Sequence, residues 1–581
     1  MKYLAAFASS ASLEGFRLPE FISVAAALDV PVTLLDDDIP WVAHGGDSFW
    51  FSVFESAATL DQLSKLAARC ILLRGIYLLF ETAPTLEDFY ACLDARSGAA
   101  SSGASATAAS YRAFAGESHA PQLSSSSGYC YQVETIGRKY TDEAKRAVVE
   151  AVLRRVPLQG KVEWHSPQRR FFVFLQHAVE SALAGAQGWV PNGPLLRVFH
   201  CCLCVESGRR ALLATYDLKK RPYIGTTSMP PEESMVMANM SCVRRGHLVY
   251  DPFCGTGSLL VAAAHCGAMT VGSDADGRAM RAGTEKGKTS PQMQQQRRLA
   301  LANYSPAQLE GLTEEERLLP NMWTNFKLYG LPPPDRARMN FSAWPHTWHT
   351  AAAPDTGAIF DSVISDPPYG LREPRKKVEM SATAAAAVTL SAYATSEVVL
   401  DLVLFAAAHL AMGGYLTFWH PTTDHYTDDE LPAHPSLRVL HDIPQRVSLK
   451  IVRRLIVMRK VAPLPSPPPS RESCAAKRAP EDLRKLMDAT ALPDNAEYTH
   501  YRARRERRRQ AAQQFQASAP ASEDGSSGGG GVGNRRGRKQ NRLDAQEEVV
   551  ANRQRNIEVR EAKQAASHLA NAAHKARTGD A

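Results

Sequence analysis

Residues 247–276 read HLVYDPFCGTGSLLVAAAHCGAMTVGSDAD. A short apolar run, Leu248 to Tyr250, leads into Asp251-Pro252-Phe253-Cys254-Gly255-Thr256-Gly257-Ser258. An Ala-rich helical pattern follows from Leu259 to His265, and a second apolar run ends at Asp274. Strand, Gly-rich turn, helix, strand and acidic residue form the opening unit of a nucleotide-binding doubly wound α/β sheet. Gly255 and Gly257 lack Cβ atoms, so the backbone can bend tightly and let a ligand lie against it. The helix N-terminus then presents free N–H groups. A carboxylate at Asp274, or failing that Asp276, can accept hydrogen bonds from two ribose hydroxyls. The turn is not the dinucleotide form, because Asp251 would repel a pyrophosphate. It suits a cationic, amino-bearing ligand, which points to S-adenosylmethionine. A ligand-free tight turn is the alternative that this motif alone leaves open.

Residues 359–370 read IFDSVISDPPYG, an apolar strand pattern ending in Asp366-Pro367-Pro368-Tyr369. The prolines remove N–H donors and stiffen the turn, so backbone carbonyls face outward. Asp366 and the Pro367 carbonyl can together accept both hydrogens of an exocyclic amine, and Tyr369 offers a flat face for a base. This tetrapeptide resembles the strand-four motif of amino-directed methyltransferases. A Pro-rich loop cap would explain it equally well in isolation, but not in this order after the first motif.

At 581 residues the chain has room for several domains. Its ten cysteines are scattered, and Cys201 with Cys204 has no second pair to complete a zinc ribbon. Cys201, Cys202 and Cys204 read as part of an apolar strand, so no metal is expected. Unpatterned cysteines suit a reducing compartment, and the expected location is cytoplasmic. The N-terminus shows no signal peptide, and no run of 18 apolar residues predicts a membrane span. Residues 501–581 hold 17 Lys+Arg against 9 Asp+Glu, so the net charge of +7 belongs to that end of the chain.

Composition divides the chain further. Residues 1–92 read as a small α+β accessory unit, and 93–127, rich in Ala, Ser and Gly, as a flexible insertion. Residues 128–221 form a second α+β unit, with strands at 129–135, 162–164, 170–175 and 196–205 and another after Arg209-Arg210. The nucleotide-binding domain covers 222–462, with strands expected at 248–253, 269–274, 337–342, 361–366, 413–419, 437–443 and 454–459 and a helix over 390–411. From 463 to 581 a Pro-rich linker, an Arg cluster and a Gly/Ser spacer predict a disordered basic tail.

The chain resembles the catalytic subunit of the tRNA (guanine-10 N2)-methyltransferase family. The shared blocks run from MKYLAAFA (1–8) and FRLPEF (16–21) through GRKYTDE (137–143), PLQGKV (157–162) and YDLKKRPYIGTTSM (216–229). They continue with the two motifs above, NFKLYGL (325–331), DDELPAHP (428–435) and RRLIVM (453–458). The resemblance implies an accessory domain and a THUMP domain that grips tRNA, followed by a Rossmann-like class I methyltransferase domain. It implies S-adenosylmethionine as donor, held by Asp251, Pro252, Gly255, Gly257, Asp274 and Asn340. Asp366, Pro367 and Tyr369 would act on the base, and Arg221 and Arg372 would touch tRNA. It also implies a small zinc-binding activator subunit that adds a strand to the sheet edge at strand three. Two positions depart from the pattern: Pro230 follows TTSM, and Asn340 stands where an acidic group is usual. Adenine N6 methylation, or a non-catalytic tRNA-binding subunit, would share the same fold.

Overall fold

The computed structural model describes residues 1–8, 10, 12–35, 50–156, 158, 160–177, 194–225, 227–277, 291–347, 358–369, 376–380, 388–447 and 451–478, apart from 101–126. All lie in the first of the chain's two compact units, Met1–Ala496.

The first sheet gathers β1 (Lys2–Phe7), β2 (Thr33–Leu34), β3 (Phe51–Glu55), β4 (Leu73–Ala83), β5 (Tyr129–Ile136), β6 (Arg169–His177) and β7 (Leu195–Glu206). Their order is β2-β3-β1-β4-β7-β6-β5, antiparallel except for the β5/β6 pair. The two α+β units read from sequence therefore share one sheet. The joint is β4, which pairs with β1 along one edge and with β7 along the other. Its LRGIYLLFETA sequence is buried on both faces for most of its length, as a central strand requires. Cys201, Cys202 and Cys204 lie within β7 and all ten cysteines are unpaired.

Three expectations differ here. The helix Leu86–Ala100 runs into the stretch read as a flexible insertion, anchored by the buried Phe89 and Leu93. Arg209-Arg210 open a helix, Arg209–Thr215, in place of the expected strand, because RRALLA is made of good helix formers. Val162 forms only an isolated bridge to Tyr129.

The second sheet contains β8 (Leu248–Asp251), β9 (Met269–Asp274), β10 (Asp335–Arg338) and β11 (Phe360–Ser365); β12 (Lys376–Met380) and β13 (Val388–Ala392) form a separate hairpin. The sheet is completed by β14 (Leu410–Thr422), β15 (Leu437–Arg446) and β16 (Val452–Lys460), in the order β10-β9-β8-β11-β14-β16-β15. The first five are parallel, and β16 runs antiparallel between β14 and β15. This is the doubly wound class I methyltransferase arrangement expected from the strand pattern. The order reverses between β8 and β11, which pair directly at Val249–Ser362 and Tyr250–Val363. In such sheets the ligand crevice lies outside the carboxyl ends of the strands at that reversal. The two sequence motifs follow β8 and β11, so they meet there.

Part of the stretch read as one helix over 390–411 is instead β13, with Thr395–His409 as the helix. Residues 463–478, expected to belong to the disordered tail, are described and partly folded. Residues 471–474 form a short helix capped by Ser470; Cys474 is buried, and Arg471 pairs with Asp401. Residues 479–581 lie outside the described residues, as do 101–126 of the insertion. No helix among the described residues is long and apolar enough to cross a membrane.

The two sheets are joined through helix Arg17–Ala27 packing on helix Pro231–Met240. Glu20 is fully buried at this seam. It accepts hydrogen bonds from Ile71 N and Leu72 N, each at 2.9 Å, and from Asn239 Nδ2 at 2.7 Å. Burial pushes its carboxyl up to about 7 in spite of these donors.

Candidate active site

The turn after β8 is built from its own sequence. Asp251, 1% exposed, accepts a hydrogen bond from Phe253 N at 3.0 Å, an Asx turn that starts the bend. Gly255 and Gly257 adopt φ of +49° and +82°, where side chains are strained. A Cβ at Gly257 would stand 3.0 Å from Met322 Cγ and Sδ, whereas one at Gly255 would meet nothing within 4 Å. The backbone at Gly255 is therefore open to a ligand, while Gly257 is packed from behind. Gly257 is the N-cap of helix Ser258–His265, with no side chain capping its amides.

Asp274, at the end of β9, accepts from Gly255 N at 2.9 Å through Oδ2 and from Asp276 N at 2.7 Å through Oδ1. It fastens the glycine turn to the neighbouring strand. Asp276 is exposed, so Asp274 is the carboxylate that borders the turn. Pro252 is buried, and its carbonyl accepts from Ser273 Oγ at 3.3 Å. Burial first, then the charges of Asp274 and Asp366, push the Asp251 carboxyl well above the usual range. Asp274 bonded to the open glycine backbone, with Asp251 near both it and Asp366, makes an acidic crevice that favours a positively charged ligand. A sulfonium and an ammonium on one ribose-bearing molecule fit that set.

The loop 217–229 lies against this turn. Arg221 Nη1 donates to Ser258 Oγ at 2.8 Å, and Ser228 Oγ shares a hydrogen bond with Thr256 Oγ1 at 2.7 Å. Asn325 clasps Tyr223 by both backbone groups, at 3.1 and 2.7 Å. Arg221 is 2% exposed and also donates to Tyr329 Oη at 3.4 Å, so it does not serve as the surface tRNA contact expected of it. It braces the first residue of the ligand helix instead. Asn340 differs too. β10 ends two residues before it, and its Oδ1 already accepts from Ser342 N at 3.2 Å and Ser342 Oγ at 3.0 Å. Its Nδ2 donates to Lys376 O at 2.9 Å. Both lone pairs of that carbonyl are taken, and the residue caps the turn after β10 rather than awaiting an adenine. Arg372 lies outside the described residues.

Asp366, Pro367 and Tyr369 follow β11 directly. Tyr369 Oη donates to Asp366 Oδ1 at 2.7 Å, which orients the carboxylate and leaves Oδ2 free of that bond. Burial raises the Asp366 carboxyl to about 6; the Tyr369 hydrogen bond and the Arg453 charge pull against it, and Glu233 adds to it. Burial also pushes the Tyr369 phenol well up, so it stays a proton donor. Arg453, Glu233 and Gln445 were not singled out as site residues from the sequence. RRLIVM flagged Arg453 only as part of a shared block.

Comparison with known proteins matches residues 219–392 to a family described as "RMKL-like, methyltransferase domain". That span contains both motifs. A curated relative in Mus musculus, tRNA (guanine(10)-N(2))-methyltransferase TRMT11, is 30% identical over 457 residues, covering 77% of this chain and 85% of the relative. The Gallus gallus protein of the same name is 31% identical over 351 residues, covering 59% of this chain and 68% of its own length. Among solved structures, TrmN from Thermus thermophilus matches 79% of this chain and 100% of its own, with 16% identity and a TM-score of 0.34.

Proposed function

The chain belongs to the tRNA (guanine(10)-N(2))-methyltransferase family, and from that premise we propose that it methylates the N2 amino group of guanosine 10 in tRNA. The methyl donor is S-adenosylmethionine, which supplies a methyl carbon made electrophilic by its sulfonium. The observation that carries the reading is the juxtaposition of Asp366-Pro367-Pro368-Tyr369 with the Gly255–Gly257 turn, at the ends of paired strands. Donor and amine acceptor sites then share one crevice.

Asp251, Asp274, Gly255 and Gly257 would hold the donor's polar parts. The target guanosine leaves its stack to expose the amine, at a cost of a few kcal/mol. Asp366 Oδ2 accepts one amine hydrogen and the Pro367 carbonyl the other, which aims the nitrogen lone pair. That lone pair is delocalised into the ring, so alignment is the main contribution of these groups. As positive charge develops on nitrogen, Asp366 stabilises it and takes the proton. The Tyr369 ring is the stacking face for the base, with its hydroxyl spent on Asp366.

The proposal extends to a small zinc-binding activator subunit. It is supported by β10 (Asp335–Arg338), which among the described residues is the last strand on its side of the sheet and pairs with β9. A strand at the end of a sheet is where a further strand can be added. Cytoplasm remains the proposed location, a reducing compartment suiting scattered, unpaired cysteines. The test is to incubate the full chain and that partner with unmodified tRNA transcript and labelled donor, then digest to nucleosides. N2-methylguanosine that disappears when guanosine 10 is replaced is the expected product. Methyladenosine, or no incorporation with the partner bound, would overturn the assignment.

A further inference from the structure

Behind Asp366 stands a wall that the mechanism above does not use. Arg453, on β16, reaches the Tyr369 hydroxyl, the same phenol that donates to Asp366. Its guanidinium is held on three further sides. Nη2 forms an ion pair with Glu233 Oε2 at 2.5 Å, Nε donates to Gln445 Oε1 at 2.7 Å, and the Trp419 ring lies 4.0 Å below. Gln445 Nε2 in turn donates to Glu233 Oε1 at 3.4 Å and to Ser12 Oγ at 3.3 Å. The side chains of Arg453 and Glu233 are 11% and 18% exposed. A guanidinium cannot be deprotonated, and this one is fixed in plane and position.

A hydroxyl between a cation and a carboxylate has only one sensible orientation. The Arg453 charge lies beside the phenol oxygen, and the phenol proton points at Asp366. We infer that Arg453 is a positioning residue for methyl transfer, acting through Tyr369 to fix the Asp366 carboxylate with Oδ2 turned to the substrate amine. The inference rests on the proposed role of Asp366 as acceptor of that amine. It assigns Glu233 the task of aiming Arg453, at the cost of a second negative charge near the site.

The charged and titratable groups facing Asp366 are Tyr369 on its own turn, Arg453 on β16, Glu233 on helix Pro231–Met240 and Asp251 on β8. Arg453 holds the Asp366 carboxyl down and Glu233 raises it. Removing each therefore moves the acid limb of the rate in opposite directions.

The experiment uses the full chain with its partner, assaying tRNA methylation from pH 5 to 9 for wild type, Arg453→Met, Arg453→Lys, Glu233→Gln and Tyr369→Phe. Donor affinity and thermal melting are measured on each. Arg453→Met is expected to lower kcat at least about tenfold with donor affinity unchanged, and to move the acid limb up by about one pH unit. Arg453→Lys restores the limb but only part of kcat, since an ammonium lacks the planar fork. Glu233→Gln moves the limb down. Adding Arg453→Met to Tyr369→Phe costs little more than Tyr369→Phe alone, because the arginine acts through the phenol. A folded Arg453→Met with unchanged kcat and limb, or fully additive losses, would overturn the inference. If Arg453→Met does not fold, the direction of the Glu233→Gln shift decides it. Wild type that makes no N2-methylguanosine would instead overturn the proposed function.

Discussion

The two turns that make the site differ in how much of their support is local. The turn after β8 is fixed by neighbours in sequence: Asp251 bonds Phe253, Asp274 bonds Gly255, and Cys254 N donates to Ser273 O at 2.9 Å. The turn after β11 has one bond of its own, Tyr369 to Asp366, and is otherwise faced by distant residues, Arg453 from a strand and Glu233 from a helix. A ligand that recurs across many proteins can be held by a compact local motif. An amine on a large substrate needs a carboxylate tuned by its surroundings, and the surroundings come from the whole domain.

That contrast can be broken from the local side first. Gly257→Val places a β-branched residue at φ +82° and drives it into Met322. Backbone strain of about 1–3 kcal/mol adds to the clash, so donor binding measured by calorimetry is expected to vanish. Asp274→Ala removes a charge-assisted hydrogen bond of about 1.5–3 kcal/mol from the turn, besides the expected ribose acceptor. Donor affinity should fall at least about tenfold. Donor binding within twofold of wild type in either variant would mean that the turn is not the donor site.

From the distant side, the Asp366 carboxyl titrates at about 6 and acts in its ionised form. The rate on tRNA should therefore be flat above pH 7 and fall as pH drops through 6, by about tenfold per unit below it. A rate that rises toward acid would contradict the role. The smallest effect belongs to Glu20, which touches neither turn but joins the two sheets. Its carboxyl, raised from 4.5 to about 7, holds its proton more tightly in the folded chain than in the unfolded one. Stability from this group is thus greatest below pH 4.5, is lost as pH rises through about 7, and is constant above. Glu20→Gln should flatten that part of the melting profile by a few degrees, read by differential scanning calorimetry.

What could be read from sequence follows the same division. The strands of the second sheet were legible because each is a short apolar run bounded by turn residues. Asp251, Gly255 and Asp274 were legible because the bonds among Asp251, Phe253, Gly255 and Asp274 lie within 25 positions. Arg221 misled because a basic loop reads as surface, while tertiary packing buried it against Ser258. Asn340 misled because β10 stops at Arg338, and a polar residue just past a strand end caps the next turn as readily as it faces a ligand. The single first sheet was hidden because its central pair, β4 and β7, is separated by more than a hundred residues. Arg453 could have been found only by asking what counter-charge a buried aspartate at the end of β11 would need.

The most direct test of the central claim is Asp366→Asn, assayed for donor binding and for turnover on tRNA in the same preparation. The amide keeps the shape and loses the acceptor charge. Donor affinity unchanged within about threefold, with kcat reduced at least about a hundredfold, is the expected result. Normal turnover with donor bound would mean that the carboxylate between Tyr369 and the crevice does not hold the reacting amine.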